Sequence, residues 1–403
     1  MHGTLPVRTA STPPEMPGLS SSSADSAGSD RLSKPSIPRF YRPELDALRA
    51  FAFILVFNHH ILGAPIDSTF RISSVIQESG AAGVCIFFML SSFLITELLL
   101  REKERTGTIH IKNFYIRRVL RIQPLYLLAV GIAFFLPHVL HTGTFIGNQL
   151  APYLLLCGNW ATAAHGWARN PGLEPLWSIS VEEQFYLIWP ALALYRGKKG
   201  MIYASLFVLP VAWAVDYLLP MSGVAKSPAL WVNSVSQFQF FVIGALLAIY
   251  LHHRSYRLAT GLRIVAFISG MMLLAFAAFP LNFIDVKIPS TPMQVLLGYL
   301  CLDAGCLLIF FSVLGAEVPL IARPLIYLGK ISYGLYIFHM LVRSVVGEAI
   351  GRVTHSVGHH QLLPFYLLTA AGSIVIAAAS YRFYEKPFLR LKDRFTFVPS
   401  RAA

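Results

Sequence analysis

Charge is what this sequence has least of. Only 13% of its 403 residues are Asp, Glu, Lys or Arg, about half the roughly 25% usual in soluble domains. So few charges cannot cover a water-facing surface on a chain that is 55% apolar. A soluble globular class is excluded, and an all-α integral membrane protein is implied. Acidic residues are scarcer than basic ones, 20 against 33, for a formal net charge of +13. In a membrane chain such an excess belongs to cytoplasmic loops beside anionic lipid, so a lipid bilayer is expected as partner and nucleic acid is not.

Cysteine is sparse too. Cys85, Cys157, Cys301 and Cys306 lie in or beside apolar runs with no CxxC or Cys/His spacing, which excludes a disulfide framework and points to no metal and no resident cofactor. Residues 1–38 hold nine Ser and six Pro but no apolar core of a signal peptide. They read as a disordered cytoplasmic tail, with the first membrane helix as insertion signal. Heptads, internal repeats and a second soluble domain are also missing. The expected organisation is a tail over 1–38, one membrane domain over 39–392 and a short cytoplasmic C-terminal tail over 393–403.

What is present is a series of apolar runs, each near the 17 to 25 residues that cross a bilayer. Ten can be placed, near 45–64, 81–100, 122–138, 177–195, 201–219, 233–251, 262–280, 293–315, 331–349 and 363–384. Ten spans put every basic cluster, from Arg31/Lys34 through Arg101–Arg121 to Lys386–Arg394, on the side of both termini, which is the positive-inside pattern. An eleventh candidate around Leu150–Trp160 would break that agreement. It is short and interrupted by Pro152 and Gly158, so it reads as a re-entrant or interfacial piece on the outer side, continuing to Pro175.

Ionisable groups at membrane depth cost about 2.5 to 3.5 kcal/mol each and are functional candidates for that reason. The stretch LRAFAFILVFNHH carries Arg49 at one end and His59 and His60 at the other. Eleven residues advance a helix by about 16 Å and about 20° past three full turns, so Arg49 and His60 share a face, whereas His59 points about 80° away. A snorkelling arginine and an interfacial histidine would give the same spacing. Further on, Arg117, Arg118 and Arg121 lead into the third span at Pro124. Arg118 and Arg121, at i and i+3, offer a fork of donors suited to phosphates, although a positive-inside flank looks alike. In LEPLWSISVEEQFYLIWP, Ser178, Glu182 and Tyr186 at i, i+4 and i+8 draw a polar stripe along one helix face. Glu183 beside them reads as a capping charge at a helix start.

Several stretches together carry a resemblance. Arg49 and His60 match Arg, ten residues, His; FFMLSSFLIT spans Phe87–Thr96; RVLRIQPLY spans Arg118–Tyr126; WSISVEEQFYLIWP spans Trp177–Pro190; LGKISYGLYIFH spans Leu328–His339; and YEKPFLRL follows from Tyr384. In this order and over about residues 40–392, the chain resembles the acyltransferase 3 family, membrane proteins that O-acylate extracytoplasmic glycans and some small molecules from acyl-CoA. It departs from the family pattern at Cys85, where Asp is frequent, and at Ser92, where Gly is.

The resemblance implies an O-acyltransferase, most simply an O-acetyltransferase, of the bacterial cytoplasmic membrane. Its donor would be acyl-CoA and its acceptor a hydroxyl of a polysaccharide or lipid-linked saccharide. A neutral His suits removal of a hydroxyl proton near pH 7, and His60 is expected in that role or as a covalent acyl carrier. Arg118, Arg121 and Arg49 are expected to hold the CoA phosphates, and Glu182 to orient the imidazole or bind acceptor. Ser178 and Tyr186 are expected to support them, with His339 as a second polar site on another membrane helix. A small secreted product such as a macrolide is the alternative acceptor. A transporter without acyl transfer is the rival class, and the missing internal repeat speaks against it.

Overall fold

The computed structural model describes residues 40–62, 71–139, 150–168, 170–254, 256–283, 290–354 and 362–398. The Ser/Pro-rich tail expected over 1–38 lies outside them. Among the described residues every regular element is a helix. In order these are α1 Pro43–Ile61, α2 Arg71–Gly80, α3 Ala82–Thr106, α4 Ile111–Val139, α5 Leu150–Leu154, α6 Gly158–His165 and α7 Leu176–Met221. There follow α8 Ser234–Leu251, α9 Thr260–Ala278, α10 Pro292–Val313, α11 Arg323–Lys330, α12 Ser332–Thr354, α13 Leu362–Ser380 and α14 Lys386–Asp393.

Seven of these helices are long and apolar enough to cross a membrane, or eight if the bent pair α11 and α12 forms one span. In their described parts, all ten apolar runs of the sequence lie mainly in helices. Two of them share α7, whose 46 residues break at Gly197 (φ 62°, ψ −160°). That backbone conformation is open to glycine and unfavourable for residues with a Cβ, so the long helix is two helices meeting at an elbow. The first run, in α1, has Glu44, Asp46 and Arg49 inside its first turns. They make it too charged to count by apolarity alone. α5 and α6, of five and eight residues, are far too short to span, as the interruption by Pro152 and Gly158 led one to expect.

Other helix limits follow from capping chemistry. α10 starts on a capping box in which Thr291 and Gln294 satisfy each other's backbone N–H groups, with Pro292 at its first position. Asn233 caps α8 by accepting from Val235 N–H. α4 is longer than expected: it starts at Ile111, so Arg117, Arg118 and Arg121 stand on the body of a helix that runs through Pro124. The reading of Glu183 as a capping charge is also corrected. α7 starts at Leu176 and has no acidic residue in its first turn.

The centre of the bundle is α3, packed along α8 and α1, with α7 along α8 and α10 along α9. Phe88, Phe241, Phe185 and Trp189 stack in series, with centroid separations of 4.6, 4.6 and 4.9 Å, and Trp189 Nε1–H donates to Thr96 Oγ1 at 2.8 Å. Thus FFMLSSFLIT and WSISVEEQFYLIWP meet in one aromatic core. At the periphery the hydrophobic order inverts: Leu262, Ile264, Val265, Ile268, Met272 and Phe276 of α9 point outward. A contiguous apolar face of that kind is unfavourable in water and natural in lipid. The protein is a multi-pass membrane protein.

The two departures from the family pattern fall in packing positions. Cys85 is fully buried in the main apolar cluster. Ser92 bonds Met89 O at 3.1 Å and lies against Gly244, where a Cβ would come within 2.3 Å of the Ser92 hydroxyl. A serine is accommodated because the facing residue has no side chain.

Candidate active site

α1, α3, α4, α7 and α12 enclose a cavity of about 1660 Å³ of empty space, counting its open mouth. Six cations line it, Arg42, Arg49, Arg117, Arg118, Arg121 and Lys392, against three carboxylates, Asp46, Glu102 and Glu182. The excess of three positive charges sets its preference for an anion. Two of the arginines are held by carboxylates: Arg49 Nη1 lies 2.8 Å from Asp46 Oδ1, and Arg117 Nη2 lies 2.7 Å from Glu102 Oε2. Arg118 and Arg121 are different. Among the described residues no carboxylate lies within ion-pair distance of either, and the buried Nε–H of Arg118 has no hydrogen-bond acceptor. Arg118 is instead sandwiched between Phe114 and Tyr186, its guanidinium 5.5 and 5.3 Å from their ring centroids. A buried donor without a partner is costly, and here it belongs to a planar, always charged group suited to phosphate oxygens.

The polar stripe expected on α7 is present and faces this cavity. Glu182 accepts from the hydroxyls of Tyr186 and of Ser91, which comes from α3. Ser178 sits a turn earlier and shares a 2.6 Å hydrogen bond with the Tyr336 hydroxyl of α12, which also donates to Pro175 O at 3.1 Å. Asp46, Ser91, Tyr336 and Lys392 were not singled out by sequence reading. For Tyr336 a signal existed, since it stands three residues before His339 on the same helix face. The C-terminal segment also closes on this site. Arg117 and Arg105 donate to the carbonyls of Phe395 and Phe397 at 2.8 and 3.1 Å, and Thr396 and Val398 line the cavity. In its described part, the stretch expected to be a tail is therefore packed on α3 and α4.

His60 lies at the other end of α1, about 16 Å from Arg49 by helical rise, and lines a second cavity with His59, Trp167, Glu174, Trp177 and Trp231. Its ring orientation is set by two acceptors. His339 Nδ1 is 2.7 Å from the Tyr336 carbonyl, which can only accept, so that nitrogen carries the proton and the His339 Nε2 is an acceptor. His60 Nδ1 lies 2.9 Å from Val56 O and 3.2 Å from His339 Nε2. Both need a donor, so neutral His60 has its proton on Nδ1 and, on Nε2, a lone pair with no hydrogen-bond partner among the described residues. The expected role of Glu182 in orienting the imidazole is thereby corrected: Glu182 is bonded to Ser91 and Tyr186 in the arginine cavity, and His339 is the group beside His60. Val84 and Tyr336 line both cavities. Cys85 and Ser92 line neither.

Comparison with known proteins bears on the family of the chain. A family model described as an acyltransferase domain matches residues 42–382. The chain is similar to the peptidoglycan O-acetyltransferase OatA of Listeria monocytogenes, 27% identical over 405 residues that cover 89% of this chain and 59% of that protein. It is also similar to the O-acetyltransferase OatA of Staphylococcus aureus strain NCTC 8325, 27% identical with coverages of 92% and 61%. The chain thus spans about three-fifths of the length of these relatives. No solved structure matches it. The motifs in order, the apolar helical bundle and a family match across residues 42–382 lead to one conclusion: the chain belongs to the acyltransferase 3 family.

Proposed function

We propose that this protein is an O-acyltransferase of the bacterial cytoplasmic membrane, moving an acetyl group from cytoplasmic acetyl-CoA to a hydroxyl of an extracytoplasmic glycan. The observation that carries this reading is the pair of cavities meeting at Tyr336, one with two arginines that lack a carboxylate partner among the described residues and one with a histidine whose Nε2 has no hydrogen-bond partner among them. With the ten spans and inward termini that the basic clusters imply, the arginine cavity faces the cytoplasm, where acyl-CoA is made. The polyphosphate of the donor binds Arg118 and Arg121, with Arg49 held ready by Asp46. The pantetheine arm runs along the apolar wall of α3 toward Tyr336 and carries the thioester to the His60 cavity.

There the acceptor hydroxyl attacks the thioester carbonyl carbon as His60 Nε2 takes its proton. The tetrahedral intermediate collapses with cleavage of the C–S bond. The proton on His60 passes to the departing sulfur, so CoA leaves as the thiol and the imidazole is again neutral. Val56 O and His339 hold the Nδ1 proton throughout, which keeps the base in one tautomer. The tryptophans Trp167, Trp177 and Trp231 around this cavity offer flat apolar faces with N–H donors, a surface suited to sugar rings. The names of both relatives favour acetyl as the group, and that of the Listeria relative favours a peptidoglycan-type glycan as the acceptor.

The test is mass spectrometry of surface glycans from cells with the intact chain, with His60→Ala and without the chain. One acetyl increment present only with the intact chain is expected. An increment that persists in His60→Ala at equal expression overturns the assignment of the base, and its absence in all three overturns the glycan acceptor.

A further inference from the structure

Away from both cavities, α3 and α8 end side by side. Glu104 is on the last turn of α3, and His252 and His253 follow the last residue of α8. Their ligand-type atoms, Glu104 Oε1, His252 Nε2 and His253 Nε2, lie within 4.8 Å of one another. Both Nε2 atoms converge on the same carboxylate oxygen, at 2.7 and 2.8 Å. Behind them, His252 Nδ1 is 2.9 Å from Glu97 Oε2, and Arg101 clamps the other oxygen of Glu97 at 2.6 Å. The turn after α8 brings the second imidazole in by taking His253 to φ 64°.

We propose that Glu104, His252 and His253 form a binding site for a divalent transition-metal ion, with Zn²⁺ the best match. Two imidazoles and one carboxylate are a donor set that Zn²⁺ uses with a fourth position left to water, whereas Mg²⁺ and Ca²⁺ prefer all-oxygen sites. The proton count is compatible with an ion as well. If the contacts were hydrogen bonds alone, His252 would need an N–H on both nitrogens to serve Glu97 and Glu104 together. With an ion on Nε2, a single neutral tautomer satisfies both sides: Nε2 ligates and Nδ1–H donates to Glu97, the carboxylate–imidazole–metal arrangement that fixes ligand orientation.

Tetrahedral coordination at about 2.0 to 2.1 Å separates ligand atoms by about 3.3 Å, so the cluster must open by about half an ångström. Glu104 and His253 are exposed, with side-chain exposures of 48% and 63%, and free to make that adjustment, while the His252 side chain is largely covered and held by Glu97. An ion here would tie together the ends of the two central helices. No ligand spacing in the sequence marks this site, because the carboxylate and the histidine pair are far apart along the chain.

The test uses the full chain purified in detergent through an affinity tag free of histidine, stripped with chelator and titrated with ZnCl₂ by calorimetry and by thermal melting. One equivalent of Zn²⁺ is expected to bind and to raise the melting temperature. His253→Ala and Glu104→Gln, both at exposed side chains, should each weaken binding by about tenfold or more without lowering the melting temperature of the metal-free protein. MgCl₂ should produce no shift. Absence of stoichiometric Zn²⁺ binding, or equal binding by both variants and the unaltered chain, overturns the site.

Discussion

His339 Nε2 stands 3.2 Å from His60 Nδ1, although the two residues are 279 positions apart. The contact makes α12 a positioning element for the base on α1, and it separates the two histidines in magnitude. Removing a general base costs about 10² to 10⁴ in rate. Removing a neutral hydrogen bond of about 0.5 to 1.5 kcal/mol costs about tenfold or less. His60→Ala is therefore expected to abolish measurable transfer of labelled acetyl, and His339→Ala to lower kcat by up to about tenfold with the acetyl-CoA KM unchanged. Equal losses in the two variants would show that His339 takes part in the chemistry itself.

Among the described residues, Arg118 and Arg121 are the cations of the larger cavity without a carboxylate partner. A charge-assisted hydrogen bond contributes about 1.5 to 3 kcal/mol, so Arg118→Ala and Arg121→Ala should each raise the acetyl-CoA KM by about 10- to 150-fold, with little change in the acceptor KM. Steady-state kinetics with each substrate varied in turn checks this. Equal effects on both substrates would assign the arginines to the fold.

Tyr336 lines both cavities and is pinned by Ser178 and Pro175. Tyr336→Ala opens the passage between them. We expect acetyl-CoA binding to persist while hydrolysis to free acetate rises relative to transfer, because water reaches the thioester without acceptor. A variant that leaves that ratio unchanged would argue that the passage lies elsewhere.

Gly329 of α11 touches the start of α1 so closely that a Cβ there would lie 1.8 Å from the Asp46 carbonyl oxygen. Gly329→Ala must push α1 away. Overpacking of this kind costs about 1 to 3 kcal/mol, and it displaces Asp46, the partner of Arg49. A lower melting temperature in detergent together with weaker acetyl-CoA binding is expected; an unchanged melt would mean that α11 shifts freely.

Glu174, in the loop before α7, lines the His60 cavity. Burial holds its carboxyl above the ordinary value of 4.5, with Arg343 opposing part of the shift. Since the folded value exceeds the unfolded one, the stability it contributes is complete below the unfolded value and is lost as pH rises through the folded one. The melting temperature should fall over that window, and Glu174→Gln should flatten the fall. Thermal melts of both proteins across pH measure the difference directly.

Much of this protein is legible in one dimension because its solvent is lipid. Apolar runs of bilayer length have to become helices, since backbone groups in hydrocarbon must bond within their own segment, and every such run, in its described part, lies mainly in a helix. The break at Gly197 and the short pieces around Pro152 and Gly158 follow from residues that are equally visible. Helical periodicity also placed Arg49 and His60 on one face and Ser178, Glu182 and Tyr186 on another.

The partners of these groups were decided only by the tertiary structure. Periodicity fixes which way a side chain points from its own helix and is silent about which helix it meets. Glu182 therefore found Ser91 and Tyr186 instead of His60, whereas His60 found His339. Lys392 reads only as one member of a basic cluster and Asp46 carries no signal of its own, until the bundle brings both to the arginine cavity. Two arginines without a carboxylate partner among the described residues, a tyrosine shared by two cavities, and a glutamate meeting a histidine pair are relations between distant segments, and those exist only once the chain is packed.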